Sequence, residues 1–298
     1  MKKFELMPSE EAFLGIAPED SVSYEQAKVV VIPFGLEASV SYGGGTAKGP
    51  EAMIKASHEV ELFDEYLWTE PYKNIGIVTL KQPKISKNIP EALNQLQAIV
   101  EQVLQDGKYP MVFGGEHSIT AGSIRPFASR YPELAMLHFD AHADLRDGFE
   151  GEHYSHAAAL RRCLDHENIN LTSVGIRNIS SSEIPFLEAN RHRINIYWAK
   201  DKKRWDFDQI VEHVKDRIVY VTFDLDGFDA SLMPATGTPE PGGIFWEDAM
   251  EVLTRAAKVC KKIVGADVNE LAPLKHHHAS DFLAAKLAYK IISLSFSK

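Results

Sequence analysis

Cysteine is almost absent from this chain of 298 residues, with only two present, Cys163 and Cys260. Two cysteines build neither a disulfide framework nor a cysteine-based metal site, and they are typical of a cytoplasmic protein. Long apolar runs are also missing, and no apolar segment follows the lysines after Met1, so neither a membrane span nor a signal peptide is predicted. The net charge is −10 without any block of like charge, which argues against nucleic acid and anionic membranes as partners.

The chain does contain short β-branched runs that alternate with longer amphipathic segments. The predicted strands are residues 27–34, 75–78, 109–113, 134–140, 170–177, 194–198, 217–224 and 263–268. The predicted helices begin at residues 49 and 118 or span residues 90–105, 181–190, 207–215, 245–261 and 279–293. The strands are apolar along most of their length, which is typical of parallel strands that are covered on both faces.

This alternation predicts a single α/β domain in three layers, with a mostly parallel sheet of about eight strands and helices on both faces. An apolar content of 45% is enough for a substantial core, and no break in composition marks a second domain. Residues 1–26 are polar and irregular, and we assign them to an N-terminal arm. Residues 27–298 form the predicted domain.

Three potential metal ligands alternate at the end of the predicted strand 134–140: Asp140, His142 and Asp144. Residues two apart in an extended backbone point to the same side, so the three side chains converge if the strand geometry continues past Phe139. Two carboxylates and an imidazole in one small volume lose hydration and repel each other unless a cation lies among them. The triplet therefore predicts a metal site.

Ionisable residues follow three other predicted strands as well, namely His117, the pair Asp224 and Asp226, and Glu270. Ligands bind at the carboxyl edge of open α/β sheets, so we expect these side chains to meet the triplet there. A set rich in oxygen ligands, with two imidazoles and no thiolate, suits Mn²⁺ and, less specifically, Fe²⁺, Ni²⁺, Co²⁺ or Zn²⁺. Carboxylates can bridge two metal ions, and a water held by both ions loses a proton near neutral pH. The resulting hydroxide predicts hydrolysis at carbon or phosphorus.

Some assignments stay open when the residues alone are considered. Residues 43–45 are three glycines that could cradle a phosphate, but the Gly-Lys-Ser/Thr ending of a P-loop is missing, so we expect a flexible loop near the site instead. A proton-transferring histidine could be His138, His153 or His156. The run 276–278 is three adjacent histidines, which cannot all face one ion, so we expect a solvated loop there.

Six segments of the chain resemble the ureohydrolase family, which includes arginases and agmatinases. They are GGEHS at 114–118, FDAHADLRD at 139–147, SHAAALRR at 155–162, FDLDGFDAS at 223–231, TGTPEPGG at 236–243 and ADVNELAP at 266–273. The resemblance extends from about residue 27 to residue 294 and implies the arginase-like fold.

The resemblance also implies the role of each site residue. One manganese ion would be held by His117, Asp140, Asp144 and Asp224, and the other by Asp140, His142, Asp224 and Asp226. Asp140 and Asp224 would bridge the two ions. His156 would pass a proton to the leaving amine, and Glu270 would receive the guanidinium group, which a carboxylate accepts through two parallel hydrogen bonds.

The implied reaction is attack by a metal-bridging hydroxide on a guanidinium carbon, which releases urea. Bacterial agmatinases share the Asp-Leu-Arg at 144–146, whereas arginases typically have asparagine at the position of Arg146, so we expect agmatine to be cleaved to putrescine and urea in polyamine biosynthesis. Asp147, Glu150 and Glu152 are the expected acceptors for its ammonium group. The resemblance also implies a cytoplasmic homo-oligomer, a trimer or hexamer.

Several alternatives remain at this stage. The substrate could be guanidinobutyrate, guanidinopropionate, arginine or formiminoglutamate instead of agmatine. The chain could also be a non-catalytic relative, although no implied ligand is missing from the sequence. A third class is a one-zinc, deacetylase-like amide hydrolase, which would not require His142 and Asp226.

Overall fold

The structure is a computed structural model that describes residues 4–298, and an eight-stranded sheet forms its centre. The strands are β1 (Val29–Phe34), β2 (Ile77–Thr79), β3 (Tyr109–Gly114), β4 (Leu134–Phe139), β5 (Ile169–Ile176), β6 (Ile194–Trp198), β7 (Ile218–Asp224) and β8 (Lys262–Asn269). They lie in the order β2-β1-β3-β8-β7-β4-β5-β6, and every neighbouring pair is parallel. The predicted single α/β domain with a parallel sheet is confirmed.

Helices cover both faces of this sheet. They are α1 (Gly49–Ser57), α2 (Pro71–Ile75), α3 (Ile89–Gln105), α4 (Thr120–Ser123), α5 (Arg125–Arg130), α6 (Ala159–Cys163), α7 (Ile184–Ala189), α8 (Phe207–Glu212), α9 (Trp246–Val259) and α10 (His278–Ser295). α1, α8, α9 and α10 pack together on one face, and α3 to α6 pack on the other. In the described chain, no helix is both long and apolar enough to cross a membrane.

The strands divide their side chains between two hydrophobic cores, one on each face. In β1, Val29 and Val31 belong to one core, while Val30 and Ile32 belong to the other. Successive residues of a strand point to opposite faces, so a sheet covered on both sides needs apolar residues at every position. The strand interiors therefore contain few polar side chains, and the predicted site residues lie where the strands end.

Residues 4–26 pack against this domain. Leu6 forms an antiparallel bridge with Leu80, and the buried ring of Phe13 meets the ring of Phe113 edge to face at 5.0 Å. A 3₁₀ turn at Pro18–Asp20 is the helical part of this segment. The first three residues of the predicted arm 1–26 lie outside the described residues.

Several predicted boundaries differ from the structure. The helix predicted at 181–190 spans Ile184–Ala189, and the helix predicted at 207–215 spans Phe207–Glu212. Three other elements differ as well. The strand predicted at 75–78 begins at Ile77, because the short helix Pro71–Ile75 occupies the preceding residues and ends at Gly76, where φ is 65°. The helix predicted from residue 118 is instead a 3₁₀ turn, His117–Ile119, followed by α4 and α5. The strand predicted at 134–140 ends at Phe139, one residue before the first potential ligand.

Four strands precede the predicted site residues, and they are neighbours in the middle of the sheet. Their order is β3-β8-β7-β4. His117 follows β3, Glu270 follows β8, Asp224 ends β7, and Asp140 follows β4. All four strands are parallel, so these residues reach the same central edge.

Candidate metal centre and active site

His117 lies at the centre of a buried group of carboxylates. Its Nδ1 atom is 3.1 Å from Oδ2 of Asp140, 3.1 Å from Oδ2 of Asp144 and 3.4 Å from Oδ2 of Asp224. All four residues are buried. This is the set that the family resemblance assigns to one metal ion.

His142 forms the centre of a second, adjacent group. Its Nδ1 atom is 3.0 Å from Oδ2 of Asp226 and 3.4 Å from Oδ1 of Asp140. Asp140 therefore directs one carboxylate oxygen toward His117 and the other toward His142. A carboxylate placed in this way can bridge two ions. The structure brings all six predicted metal ligands together.

The backbone reason for this convergence differs from the predicted one. The strand geometry does not continue past Phe139, and the loop that follows turns back instead. Asp144 adopts a left-handed conformation with φ of 51°, and the His142 N–H donates to Oδ1 of Asp140 at 2.6 Å. The triplet converges because the loop is bent, not because it is extended.

The electrostatics of the cluster show a shortage of positive charge. Burial and repulsion from Asp226 and Asp140 raise the pKa of Asp224 well above its usual range. Burial and the nearby Asp140 raise the pKa of Asp144 to about 7. Burial alone would lower the pKa of His117, but hydrogen bonds to Asp140 and Asp144 raise it well above its ordinary value.

Divalent cations would supply the missing charge. The donor set is four aspartates and two histidines without a thiolate, which fits Mn²⁺ and other ions that prefer oxygen and imidazole ligands. The ligand atoms of Asp140, His142 and Asp226 lie within 4.8 Å of one another. The residues present therefore fit a pair of metal ions that share Asp140.

His138 supports Asp140 from inside the sheet. Its Nε2 atom is 2.8 Å from Oδ2 of Asp140, and its Nδ1 atom is 2.9 Å from the hydroxyl oxygen of Ser173. Burial lowers the pKa of His138, so a neutral ring with its proton on Nε2 satisfies both contacts. His138 orients the shared carboxylate and does not face the cavity.

A second hydrogen-bond network holds the other ring nitrogen of His117, and sequence patterns do not predict it. The Nε2 atom of His117 is 2.9 Å from the hydroxyl oxygen of Thr222, whose own proton is donated to Oδ1 of Asp267 at 2.6 Å. Asp267 is fully buried and also accepts from the Tyr220 hydroxyl at 2.6 Å. The sequence feature that points to this network is Asp267, an aspartate inside the otherwise apolar strand predicted at 263–268.

Glu270 lines the same cavity as the candidate metal ligands. It follows β8 in a left-handed conformation with φ of 67°, and its Oε1 atom accepts the backbone N–H of His117 at 2.6 Å. Burial and the neighbouring Glu116 raise its pKa well above the usual range. A bound cation would favour the ionised form of this carboxyl group.

A cavity of about 300 Å³ opens over the cluster. Its floor is formed by predicted site residues: His117, His142, Asp144, Asp224, Asp226, Glu270 and His156. Its outer wall includes Tyr42, Arg146, Phe149 and Glu240. Five of the six predicted ligands and both predicted catalytic residues thus line one cavity, and the sixth ligand, Asp140, is fully buried.

Of the three histidines that the sequence left open, His156 is the one that lines the cavity. It begins a 3₁₀ turn, His156–Ala158, and its Nδ1 atom is 3.2 Å from the hydroxyl oxygen of Ser39. Burial lowers its pKa. His153 is exposed and contacts Arg162.

The glycine loop at 43–45 is part of the cavity wall. The carboxylate of Glu37 accepts the N–H groups of Gly45 at 3.0 Å and Ala47 at 2.8 Å, and Gly43 donates to the carbonyl oxygen of Gly237 at 3.1 Å. These amides would have to be free to cradle a phosphate. The structure therefore favours the second interpretation, a loop beside the site.

None of the three acids expected to bind an ammonium group, Asp147, Glu150 and Glu152, lines the cavity, and two of them have other partners. Asp147 forms an ion pair with Arg162 at 2.8 Å, and Glu152 accepts the backbone N–H of Tyr154 at 2.9 Å. The cavity wall from this loop consists of Arg146 and Phe149, with the guanidinium of Arg146 over the Phe149 ring at 4.9 Å. Glu240, from the loop after β7, is the acid at the outer wall.

The fold and this site define an α/β/α enzyme of the ureohydrolase type, a hydrolase acting on C–N bonds of amidines. The sequence profile of the Arginase family matches residues 27–293, and the chain belongs to that family.

Individual relatives cover nearly the whole chain. The chain is 35% identical over 285 residues to the N(1)-aminopropylagmatine ureohydrolase of Synechocystis sp., covering 92% of this chain and 91% of that protein. It is 30% identical over 298 residues to the agmatinase of Bacillus cereus, covering 98% and 100% of the two chains. The crystal structure of agmatine ureohydrolase of Thermoplasma volcanium matches with a TM-score of 0.83 and 28% identity, covering 96% and 94%. The predicted family and arginase-like fold are confirmed.

Proposed function

We propose that this protein hydrolyses the guanidino group of a small substrate with a cationic tail, releasing urea, and that agmatine is its first candidate substrate. The observation that carries the proposal is the division of the Asp140 carboxylate between His117 and His142, with Glu270 at the same cavity. The relatives named agmatinase and N(1)-aminopropylagmatine ureohydrolase support the choice of substrate class.

Two Mn²⁺ ions are the proposed cofactors. His117, Asp140, Asp144 and Asp224 would hold one ion, and Asp140, His142, Asp224 and Asp226 the other, so that Asp140 and Asp224 are shared. When bound, the two ions would supply Lewis-acid activation of a water molecule at neutral pH.

Glu270 is the proposed receptor for the guanidinium group. Its Oε1 atom is fixed by the His117 N–H, and the side chain lines the cavity floor. A planar guanidinium matches a carboxylate through parallel N–H···O contacts, which would orient the electrophilic carbon over the cluster. Binding of this cation would draw Glu270 into its ionised form, against the effect of burial.

His156 is the proposed proton donor to the departing amine. It faces the same cavity as Glu270, and burial lowers its pKa, which makes the protonated ring a stronger acid toward the departing nitrogen. The amine leaves as the C–N bond breaks, and its nitrogen takes both the electron pair and the proton.

The outer wall contains groups of both signs. Glu240 offers a carboxylate to an ammonium tail, and Tyr42 is a largely exposed aromatic ring beside it in the wall. Arg146 also lines the cavity, and its described contact is with the Phe149 ring. Arg146 therefore favours a second candidate function, hydrolysis of an acid-ended compound such as 4-guanidinobutyrate.

The test is a substrate panel with the Mn²⁺-loaded protein. We would measure kcat/KM for agmatine, N1-aminopropylagmatine, arginine, 4-guanidinobutyrate and 3-guanidinopropionate by urea release, and for formiminoglutamate by formamide release. Preference for an amine-ended guanidine supports the proposal. Preference for 4-guanidinobutyrate supports the second candidate, and no product from any of the six compounds contradicts both.

A further inference from the structure

We infer that Ser39 and Glu116 form a hydrogen-bond relay that fixes the orientation and the tautomer of His156, and so are positioning residues for its proton transfer. This inference rests on the proposed function, in which His156 protonates the leaving amine.

Glu116 is a fully buried carboxylate between β3 and His117. Its Oε2 atom accepts the backbone N–H groups of Ala38 and Ser39, both at 2.6 Å. Its Oε1 atom accepts the hydroxyl protons of Ser39 at 2.8 Å and Ser118 at 2.6 Å. The two carboxylate oxygens of Glu116 act as acceptors in all four of these contacts, so the hydroxyl proton of Ser39 is committed to Glu116.

The Ser39 oxygen then has only lone pairs to offer to His156. One accepts the backbone N–H of His156 at 2.9 Å, and the other faces Nδ1 of the same residue at 3.2 Å. The second contact is a hydrogen bond only when Nδ1 carries a proton. In the neutral ring, Nε2 is therefore the unprotonated nitrogen and the one that exchanges protons with the substrate.

This tautomer matches the proton balance of the proposed reaction. As the oxygen of water forms the new bond to carbon, the water loses one proton, which the neutral ring takes on Nε2. The doubly protonated ring then donates this proton to the departing nitrogen, which also takes the C–N electron pair, and the remaining hydroxyl proton passes from the urea oxygen to the freed amine. The ring that remains is neutral with its proton on Nδ1, which is the form that Ser39 accepts from. No ring flip is needed between turnovers.

A purely structural role for the pair would be to hold residues 38 and 39 against the sheet. Ser39→Ala separates the two roles, because both backbone N–H bonds to Glu116 and the Ser118 bond remain. Glu116→Gln is less suitable, since its amide group would face a backbone N–H donor. Ser41→Ala is the matched control, because Ser41 lines the same cavity.

The experiment combines kinetics with ¹⁵N NMR of the histidine rings. We expect Ser39→Ala to lower kcat about 10-fold to 100-fold, a part of the 10²–10⁴-fold that a general acid supplies, with little change in KM or metal content. In Ser39→Ala, the ¹⁵N spectrum of the His156 ring should lose the signature of a proton on Nδ1. The single variants Ser39→Thr and Ser41→Ala should both keep that signature. In a His156→Ala background, Ser39→Ala should have no further effect on kcat.

Two results would overturn the inference. One is a His156 ring in Ser39→Ala that keeps the wild-type Nδ1–H pattern. The other is a loss of kcat that is as large in the His156→Ala background as in the wild type. The NMR measurement needs no turnover, so it tests the relay even if the wild-type protein releases no urea and the proposed function fails.

Discussion

Glu270 accepts the backbone N–H of His117 at 2.6 Å, across the edge formed by β8 and β3. The proposed guanidinium receptor and a proposed metal ligand are thus joined directly. A change at Glu270 can act on either, and the choice of variant decides which effect is measured.

Glu270→Gln should keep the bond to His117 through its amide oxygen while losing the negative charge. We expect metal content near that of the wild type and a fall in kcat/KM for agmatine of about 10²-fold or more, since the carbon is no longer held in position. Urea assays and metal analysis of the same preparation measure both. Glu152→Gln serves as the control, and near-normal turnover in Glu270→Gln would reject the assignment.

Asp140→Ala should reduce the metal content of both sites, because its two oxygens face different histidines. His117→Ala should chiefly loosen one ion, since His117 contacts only the first group. Metal analysis after gel filtration gives the number of ions per chain. Two ions retained by Asp140→Ala would show that Asp140 does not bridge.

Glu240 and Arg146 should act in opposite directions on tail preference. Glu240→Gln should lower kcat/KM for agmatine relative to butylguanidine, which has a neutral tail, by about 10-fold, as expected for one lost charge-assisted hydrogen bond. Arg146→Ala should lower the rate for 4-guanidinobutyrate and spare agmatine. Equal decreases in kcat/KM for substrates with charged and neutral tails would show that neither side chain recognises the charge of the tail.

Thr222→Val should weaken metal binding although it replaces none of the proposed ligands. The variant removes the oxygen that accepts from His117 and keeps the branched shape of the side chain. Loss of such an outer partner typically costs about 10–100-fold in metal affinity. Calorimetric titration of the metal-free protein with Mn²⁺ measures it. Thr172→Val is the control, as Thr172 is a buried threonine in β5, and an unchanged affinity in Thr222→Val would contradict the prediction.

Asp229 should give the loop between β7 and α9 a pH-dependent stability. Its carboxylate accepts the N–H groups of Gly242 at 2.7 Å and Gly243 at 3.0 Å. Burial alone would raise its pKa, but hydrogen bonds from Ser231 and these glycines outweigh it and lower the pKa to about 2. A carboxyl group whose pKa is lower in the folded state stabilises that state above its unfolded pKa of about 3.9.

We therefore expect Asp229→Asn to lower the Tm at pH 7, and the difference from wild type to shrink as the pH falls from about 4 toward 2. Thermal unfolding monitored by circular dichroism across this range measures the difference. Glu61→Gln, at an exposed position, should leave it near zero at every pH. A Tm difference for Asp229→Asn that is independent of pH would show that the charge is not responsible.

Most of the architecture could be predicted from the sequence because it depends on local patterns. The β-branched run at 194–198 predicted a strand that the structure has at Ile194–Trp198. The position of Asp140 and Asp224 after apolar runs was enough to predict that they meet, since parallel strands end at a common edge. The order of the strands has no such local signal, and the adjacency of β7 and β8 emerged only from the structure.

The parts that the sequence missed depend on contacts between distant segments. Ser39 and His156 are separated by 117 positions, and an isolated serine in a polar loop carries no pattern. The sequence predicts the tail-binding acids on the loop after the metal triplet. In the structure, Asp147 of that loop is paired with Arg162, and the acid in the cavity wall, Glu240, comes from another loop. Pocket walls are built by loops whose paths periodicity does not describe.

The carboxylate of Glu37, eight residues before Gly45 in the chain, binds the backbone amides of the glycine loop in the way that a bound anion would. The backbone amides there are already engaged, so this wall does not have to fold around the substrate. Free energy of binding is then not consumed in ordering the loop and remains available for orienting the guanidinium. By the same reasoning, phosphate and sulfate should be poor inhibitors of this enzyme at that loop, because the protein itself occupies the place an oxyanion would take.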